Sequence, residues 1–188
     1  MPTVNYPSLL LMASGLRNIV VTGAAGWLGR ALFQALTRGL SERTELTKLE
    51  NETRIRLLLQ PGQDDSIFGA TAGDHLVEIV RGDILDKDDC LRLLDRLRGA
   101  TLFHTAGVIH PPNVSEFYKV NVDGTSNLLD AAVRCGLKRV VAVSSNSPFG
   151  ANPHPDHLFD EECDYNPYMN YGRSKMLMER EIIKWQKR

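Results

Sequence analysis

Apolar residues along this chain fall into two alternating kinds of segment. Short runs rich in β-branched residues and leucine read as strands: NIVVT (18–22), RIRLLL (54–59), VEIV (77–80), TLFHT (101–105) and RVVAVSS (139–145). Between and after them lie longer amphipathic stretches. These read as helices over 26–40, closed by Gly39; over 86–99, with acids in the first turn and arginines in the last; over 115–136, ending at Gly136; and over 168–188. Strands alternating with helices predict an α/β architecture, a doubly wound parallel sheet with helices on both faces. Right-handed crossovers and one reversal after the first unit give the strand order 3-2-1-4-5. In such a sheet the ligand lies outside the carboxyl ends of the strands, at the switch point between strands 1 and 4, so functional residues should follow strand ends.

Two stretches fall outside the alternation. Residues 1–17 carry a short apolar run at Leu9 to Met12, too short to span a bilayer, and read as a leader outside the fold proper. Residues 40–53 read as an extension of the first helix or a charged surface excursion. The rest, 18–188, reads as one soluble domain, and the whole chain of 188 residues is 43% apolar and 24% charged. A net charge of −1 gives no electrostatic case for nucleic acid or an anionic membrane as partner. The expected partner is a small-molecule substrate, with a homodimer as the candidate assembly. Cys90, Cys135 and Cys163 lie far apart without CxxC spacing, which disfavours a zinc site or a disulfide framework and points to a reducing, cytoplasmic setting. His154 and His157 have no third ligand at a usual spacing and read as solvated, so no metal is expected.

Chemistry enters after strand 1, in TGAAGWLG, where Gly23, Gly26 and Gly29 stand in G-x-x-G-x-x-G spacing. A missing Cβ lets backbone approach a pyrophosphate closely, and the helix N-terminus that follows offers free N–H groups and a favourable dipole. This loop, with the ordered motifs after it, resembles the extended branch of the short-chain dehydrogenase/reductase superfamily, the NAD-dependent epimerase/dehydratase-like group. The likeness runs from about Asn18 to the C-terminus. It implies a Rossmann fold that binds NAD or NADP, with Gly23, Ala25, Gly26, Trp27, Leu28 and Gly29 forming the phosphate loop. In RGDILD, Asp83 would accept from the adenine amino group and Ile84 would flank the ring. In HTAG, Thr105, Ala106 and Gly107 would lie beneath the ribose and nicotinamide. Asn121, in YKVNVDGT, either ties helix to sheet or holds a water.

Tyr171 and Lys175 stand four residues apart, so a helix sets them on one face. They match the superfamily's Y-x-x-x-K signature, and Ser145, by its distance from Gly150, matches its catalytic serine. The resemblance then gives Tyr171 the role of acid/base, with an ammonium and a cationic nicotinamide favouring its phenolate. Ser145 would hydrogen-bond the reacting oxygen, and Lys175 would also bind the nicotinamide ribose.

Cofactor choice turns on the end of strand 2, where Gln60 neither repels a 2′-phosphate nor attracts one strongly; NAD and NADP are both expected, with a lean to NAD. Asn146 and Ser147 stand where dehydratases of this branch carry an Asp-Glu pair, which disfavours a 4,6-dehydratase. The expected activity is hydride transfer at a hydroxyl or carbonyl carbon of a sugar-nucleotide, steroid-like or other small substrate, by an oxidoreductase or epimerase. The family continues past the Tyr-Lys helix into a substrate lobe, so 18–188 reads as the NAD(P)-binding domain without that lobe. The alternative is a dinucleotide-binding module or fragment without turnover.

Overall fold

A computed structural model describes residues 16–39, 53–71, 73, 75–160 and 162–187. The leader (bar its last two residues) and nearly all of the excursion over 40–53 lie outside them. Strands β1 (Asn18–Thr22), β2 (Arg54–Leu59), β3 (Leu76–Arg81), β4 (Thr101–His104) and β5 (Arg139–Ala142) form one sheet in the order β3-β2-β1-β4-β5, every pair parallel. The helices are α1 (Trp27–Arg38), α2 (Ser66–Thr71), α3 (Lys87–Leu94), α4 (Val114–Tyr118), α5 (Thr125–Cys135) and α6 (Met169–Gln186). The expected order is therefore the observed one, with α2 added; its six residues are too few for a periodic signal.

Alternate residues of the central strands serve opposite cores, which is why these segments are mostly apolar on both faces, with Arg56 as the buried charged exception. Ile19, Val21, Ile55 and Leu57 pack with Phe33 of α1 and Phe68 of α2, whose rings meet edge to face at 5.1 Å. Val20, Leu58 and Leu102 pack with Leu93 and Leu94 of α3 and Leu128 of α5. No helix among the described residues is long and apolar enough to cross a membrane.

Three boundaries differ from expectation, each for a local reason. Helix α3 starts as predicted, with Asp86 accepting from Asp88 N at 2.8 Å and Asp89 N at 3.1 Å. It ends at Leu94 rather than 99, because Arg56 of β2 draws off the closing carbonyls. Nη1 of Arg56 donates to Leu93 O at 2.8 Å and Asp95 O at 2.9 Å, while its Nη2 pairs with Glu78 at 2.9 Å. The helix expected over 115–136 is interrupted by a π-turn at Lys119–Gly124, a wider turn that regular amphipathic spacing does not signal. Strand β5 stops at Ala142, since Val143 O is taken by Lys175 Nζ at 2.7 Å and the chain then turns into a 3₁₀ turn, Ser147–Phe149.

His104, at the end of β4, joins these parts. It is 2% exposed. The Thr125 hydroxyl donates to Asn121 O at 2.8 Å, so it accepts from His104 Nε2–H at 2.9 Å. That leaves His104 Nδ1 to accept from the Thr22 hydroxyl at 2.7 Å. The imidazole is thus neutral and bridges β1, β4 and α5. Burial, with the Lys175 ammonium as a lesser cause, pushes its pKa down to about 4. The unfolded chain therefore takes up this proton first on acidification. Stability is full above the ordinary histidine value near pH 6.5 and falls as pH drops from there toward 4, by at most about 1.4 kcal/mol per pH unit. Thermal melts between pH 7 and 4.5 should show that slope, and His104→Gln should flatten it whatever it does to the melting temperature at pH 7.

Candidate functional site

Two adjoining clefts, of about 250 and about 220 Å³, open along the carboxyl ends of the strands and share Gly23, Gly26 and the stretch Thr105–Val108. The first runs past Trp27, Leu28 and Gly29 to Asn121, Tyr171 and Lys175. The second runs past Leu58, Gln60 and Gln63 to Asp83 and Ile84. Together they make one groove at the switch point between β1 and β4, where the sheet topology puts it. Of the residues expected around a cofactor, only Ala25 lies off the groove walls; its carbonyl accepts from Arg30 Nε at 2.8 Å.

The three loop glycines divide into two kinds. A Cβ on Gly23, at φ +71°, would lie 2.5 Å from Ala106 N, and one on Gly29 would lie 2.7 Å from Ala24 Cα. The fold itself demands glycine at both, because the loop is pressed against β4's exit and its own first turn. A Cβ on Gly26 would meet only Gly23 O, at 3.2 Å. Gly26 precedes α1 in an extended conformation and faces the groove. That one contact is tight, but nothing else stands within 4 Å, so backbone on this side leaves the clearance that a pyrophosphate at a helix N-terminus needs.

At the β2 end of the groove, Gln60 Nε2 donates to Asp83 Oδ2 at 3.0 Å, and Leu85 N donates to Asp83 Oδ1 at 2.9 Å. Carboxylate lone pairs remain for an adenine amino group. Ile84 lines the groove, yet most of its side chain packs over Gly124, so it offers only an edge. Arg56, committed beneath α3, is far from this end in function. Arg81 donates to Gln63 O at 2.6 Å and pairs with Asp65.

At the other end, Asn121 of the π-turn is 1% exposed. Its Oδ1 accepts from Val108 N at 2.9 Å, and its Nδ2 donates to Val108 O at 3.1 Å and Ser174 Oγ at 3.0 Å. Both amide faces are spent on protein, so its part is to tie β4's exit to α6. Lys175 is 5% exposed, and burial pushes its pKa down to about 8 against the raising effect of Glu179. Tyr171 lines the same cleft, its ring 6.2 Å from that of Phe117. Ser145 is the expected member that stands apart: its hydroxyl donates to Ser147 Oγ at 3.0 Å and accepts from Ser147 N at 3.1 Å. Ser144 lines the cleft instead. Sequence reading missed Gln63, Val108 and Ile109, lining residues in loops whose shape no pattern announces. No group of three or more His, Cys, Asp or Glu that could hold a metal occurs among the described residues.

The glycine geometry makes a stability prediction. Gly29→Ala should lower the melting temperature by several degrees or abolish folding, since it presses a methyl onto backbone; an overpacked site costs about 1–3 kcal/mol. Gly26→Ala should melt within about 2 °C of the parent. Equal losses in paired melts would remove the distinction.

A family model described as the NAD dependent epimerase/dehydratase family matches residues 19–188. An uncharacterized protein of Sinorhizobium fredii is 44% identical over 164 residues, 87% of this chain and 44% of that protein. The 3beta-hydroxysteroid-dehydrogenase/decarboxylase isoform 1 of Arabidopsis thaliana is 30% identical over 166 residues, 87% of this chain and 36% of the relative. Among solved structures, the dTDP-glucose 4,6-dehydratase DesIV of Streptomyces venezuelae, with NAD bound, aligns with a TM-score of 0.72 at 26% identity, over 90% of this chain and 52% of that one. The chain spans about half the length, or less, of these relatives. With the glycine loop, the strand order and a match that runs from β1 through α6, the chain belongs to the NAD-dependent epimerase/dehydratase family.

Proposed function

We propose that residues 18–188 are the cofactor-binding and proton-transfer part of an NAD-dependent oxidoreductase or epimerase acting on a hydroxyl- or carbonyl-bearing carbon of a small substrate. The observation that carries this reading is the single groove leading from Gln60 and Asp83, over the open face of Gly26, to Tyr171 and Lys175. The residues fit a dinucleotide. Gly26 and the first N–H groups of α1 would hold the pyrophosphate, Asp83 the adenine amino group, and Lys175 the nicotinamide ribose. NAD, when bound, supplies a hydride acceptor beside the phenol. NAD is favoured over NADP because a 2′-phosphate near Gln60 would find Arg81 already paired with Asp65.

Tyr171 exchanges a proton with the substrate oxygen at Oη, with Lys175 one turn along the same helix face. Lys175 gives one N–H to Val143 O at 2.7 Å and a second to Met178 Sδ at 3.3 Å, which fixes the ammonium and leaves its third N–H for a ribose hydroxyl. Ser145 orients the substrate oxygen once its hydroxyl leaves Ser147, a change of side-chain rotamer. Substrates of the sugar-nucleotide and steroid classes both occur in the names of relatives, and Asn146 and Ser147 in place of an acidic pair weigh against a dehydratase.

Titration calorimetry with NAD tests the reading on the chain as it stands. One NAD per chain is expected. Gly26→Val should abolish binding without unfolding, and Lys175→Ala should weaken it about tenfold to hundredfold, the worth of a charge-assisted hydrogen bond. Tyr171→Phe should leave affinity nearly intact. A folded parent chain that binds no NAD would overturn the proposal.

A further inference from the structure

Helix α6 grips the end of β5 at two successive rungs. Lys175 Nζ donates to Val143 O at 2.7 Å, and one turn later the Glu179 carboxylate accepts from the hydroxyl of the next residue, Ser144, through Oε1. The second carboxylate oxygen, Oε2, accepts from Tyr165 Oη at 2.8 Å. Tyr165 is itself fixed: its ring stacks on Phe149 of the 3₁₀ turn at 5.5 Å, and the Arg180 guanidinium lies 5.5 Å over it. Glu179 is therefore held on both oxygens by hydroxyls, on the helix face that carries Lys175.

We propose that Glu179 is a positioning residue of the candidate active site: it locks the Val143–Ser145 segment to the helix that bears Tyr171 and Lys175, and sets a carboxylate one turn from the Lys175 ammonium. This rests on the reading of Lys175 as a cofactor-binding group. The other charges around Lys175 do not serve. His104, from β4, is neutral above about pH 4, and Tyr171 on α6 carries no negative charge unless it ionises. Tyr165, facing Glu179, is pushed up to about 12 by burial and by Glu179 itself, so it keeps its proton across the range of interest. Burial drives Lys175 toward the neutral amine, and Glu179 is the group that opposes it. Without that charge the amine would lose its proton at a lower pH, and with it the hold on a ribose hydroxyl.

The test is an NMR titration of the labelled lysine side chain from pH 6 to 10.5 in the parent chain and in Glu179→Gln, with NAD affinity measured at pH 6.5 and 8. The Lys175 midpoint should lie near 8 in the parent and move down by about half a pH unit or more in Glu179→Gln. NAD affinity should then fall about twofold to fivefold at pH 8 and stay unchanged at pH 6.5, whereas a merely structural defect would weaken both alike. Tyr165→Phe, which keeps the carboxylate, should move the midpoint far less. Should Glu179→Gln fail to fold, Glu179→Asp, its carboxylate drawn back by one methylene, should move the midpoint the same way by less. An unmoved midpoint in a folded Glu179 variant overturns the assignment. A moved midpoint in a chain that binds no NAD would instead sink the cofactor reading and leave Glu179 as the partner of Lys175.

Discussion

A neutral imidazole, buried between two threonine hydroxyls, ties the carboxyl edge of the sheet to the helix that carries Tyr171. From Thr22 through His104 and Thr125 to the π-turn, each group donates in one direction, and Asn121 passes the connection on to Val108 and Ser174. Every side-chain polar atom of this relay has a partner, which is the condition under which a buried polar network rigidifies rather than weakens a core. Removing one member would leave others unsatisfied in a dry site, at about 1–3 kcal/mol each. The geometry of the groove hangs on that relay. It sets β4's exit against the glycine loop on one side and α6 on the other.

Around this frame the groove is built by exclusion as much as by contact. Gly23 and Gly29 are required because backbone lies where their side chains would be. Gly26 differs in that its Cβ would meet a single backbone atom, Gly23 O, on the side that faces the groove. Charges near the groove are mostly committed. Arg56 closes α3 and pairs with Glu78, and Arg81 serves the turn after β2. What remains with an unspent donor at the Tyr171 end is Lys175, held deep by a carbonyl at a strand end, by Met178 Sδ and by the clamp one turn further along α6.

Much of this was legible in the chain itself. Short, mostly apolar runs fit strands covered on both faces, so NIVVT and the LLL end of RIRLLL pointed to a parallel sheet, and its order followed from handedness. That Gly23, Gly26, Tyr171 and Lys175 share one cleft was legible, because glycine spacing after a strand marks its exit and a four-residue spacing sets two side chains on one helix face. The rest depended on tertiary context. The π-turn shares its residues with an ordinary helix, and only the burial of Asn121 against Val108 shows why it is there. Arg56 reads as a strand residue until α3's carbonyls are seen above it. Gly29 reads as a phosphate-loop glycine, yet the contact that forbids its side chain is internal. Ser145 matched by spacing, but the hydroxyl at the groove wall is that of Ser144, because the chain turns at Asn146.

The account holds that this groove is assembled before its ligand arrives, braced by the His104–Asn121 relay. A crystal structure of the chain with NAD tests that most directly. It should place the pyrophosphate over Gly26, the adenine by Asp83 and the nicotinamide beside Tyr171, with the hydrogen bonds of His104 and Asn121 as they stand without ligand. NAD bound elsewhere, or a π-turn that re-forms as regular helix with Asn121 released from Val108, would contradict it.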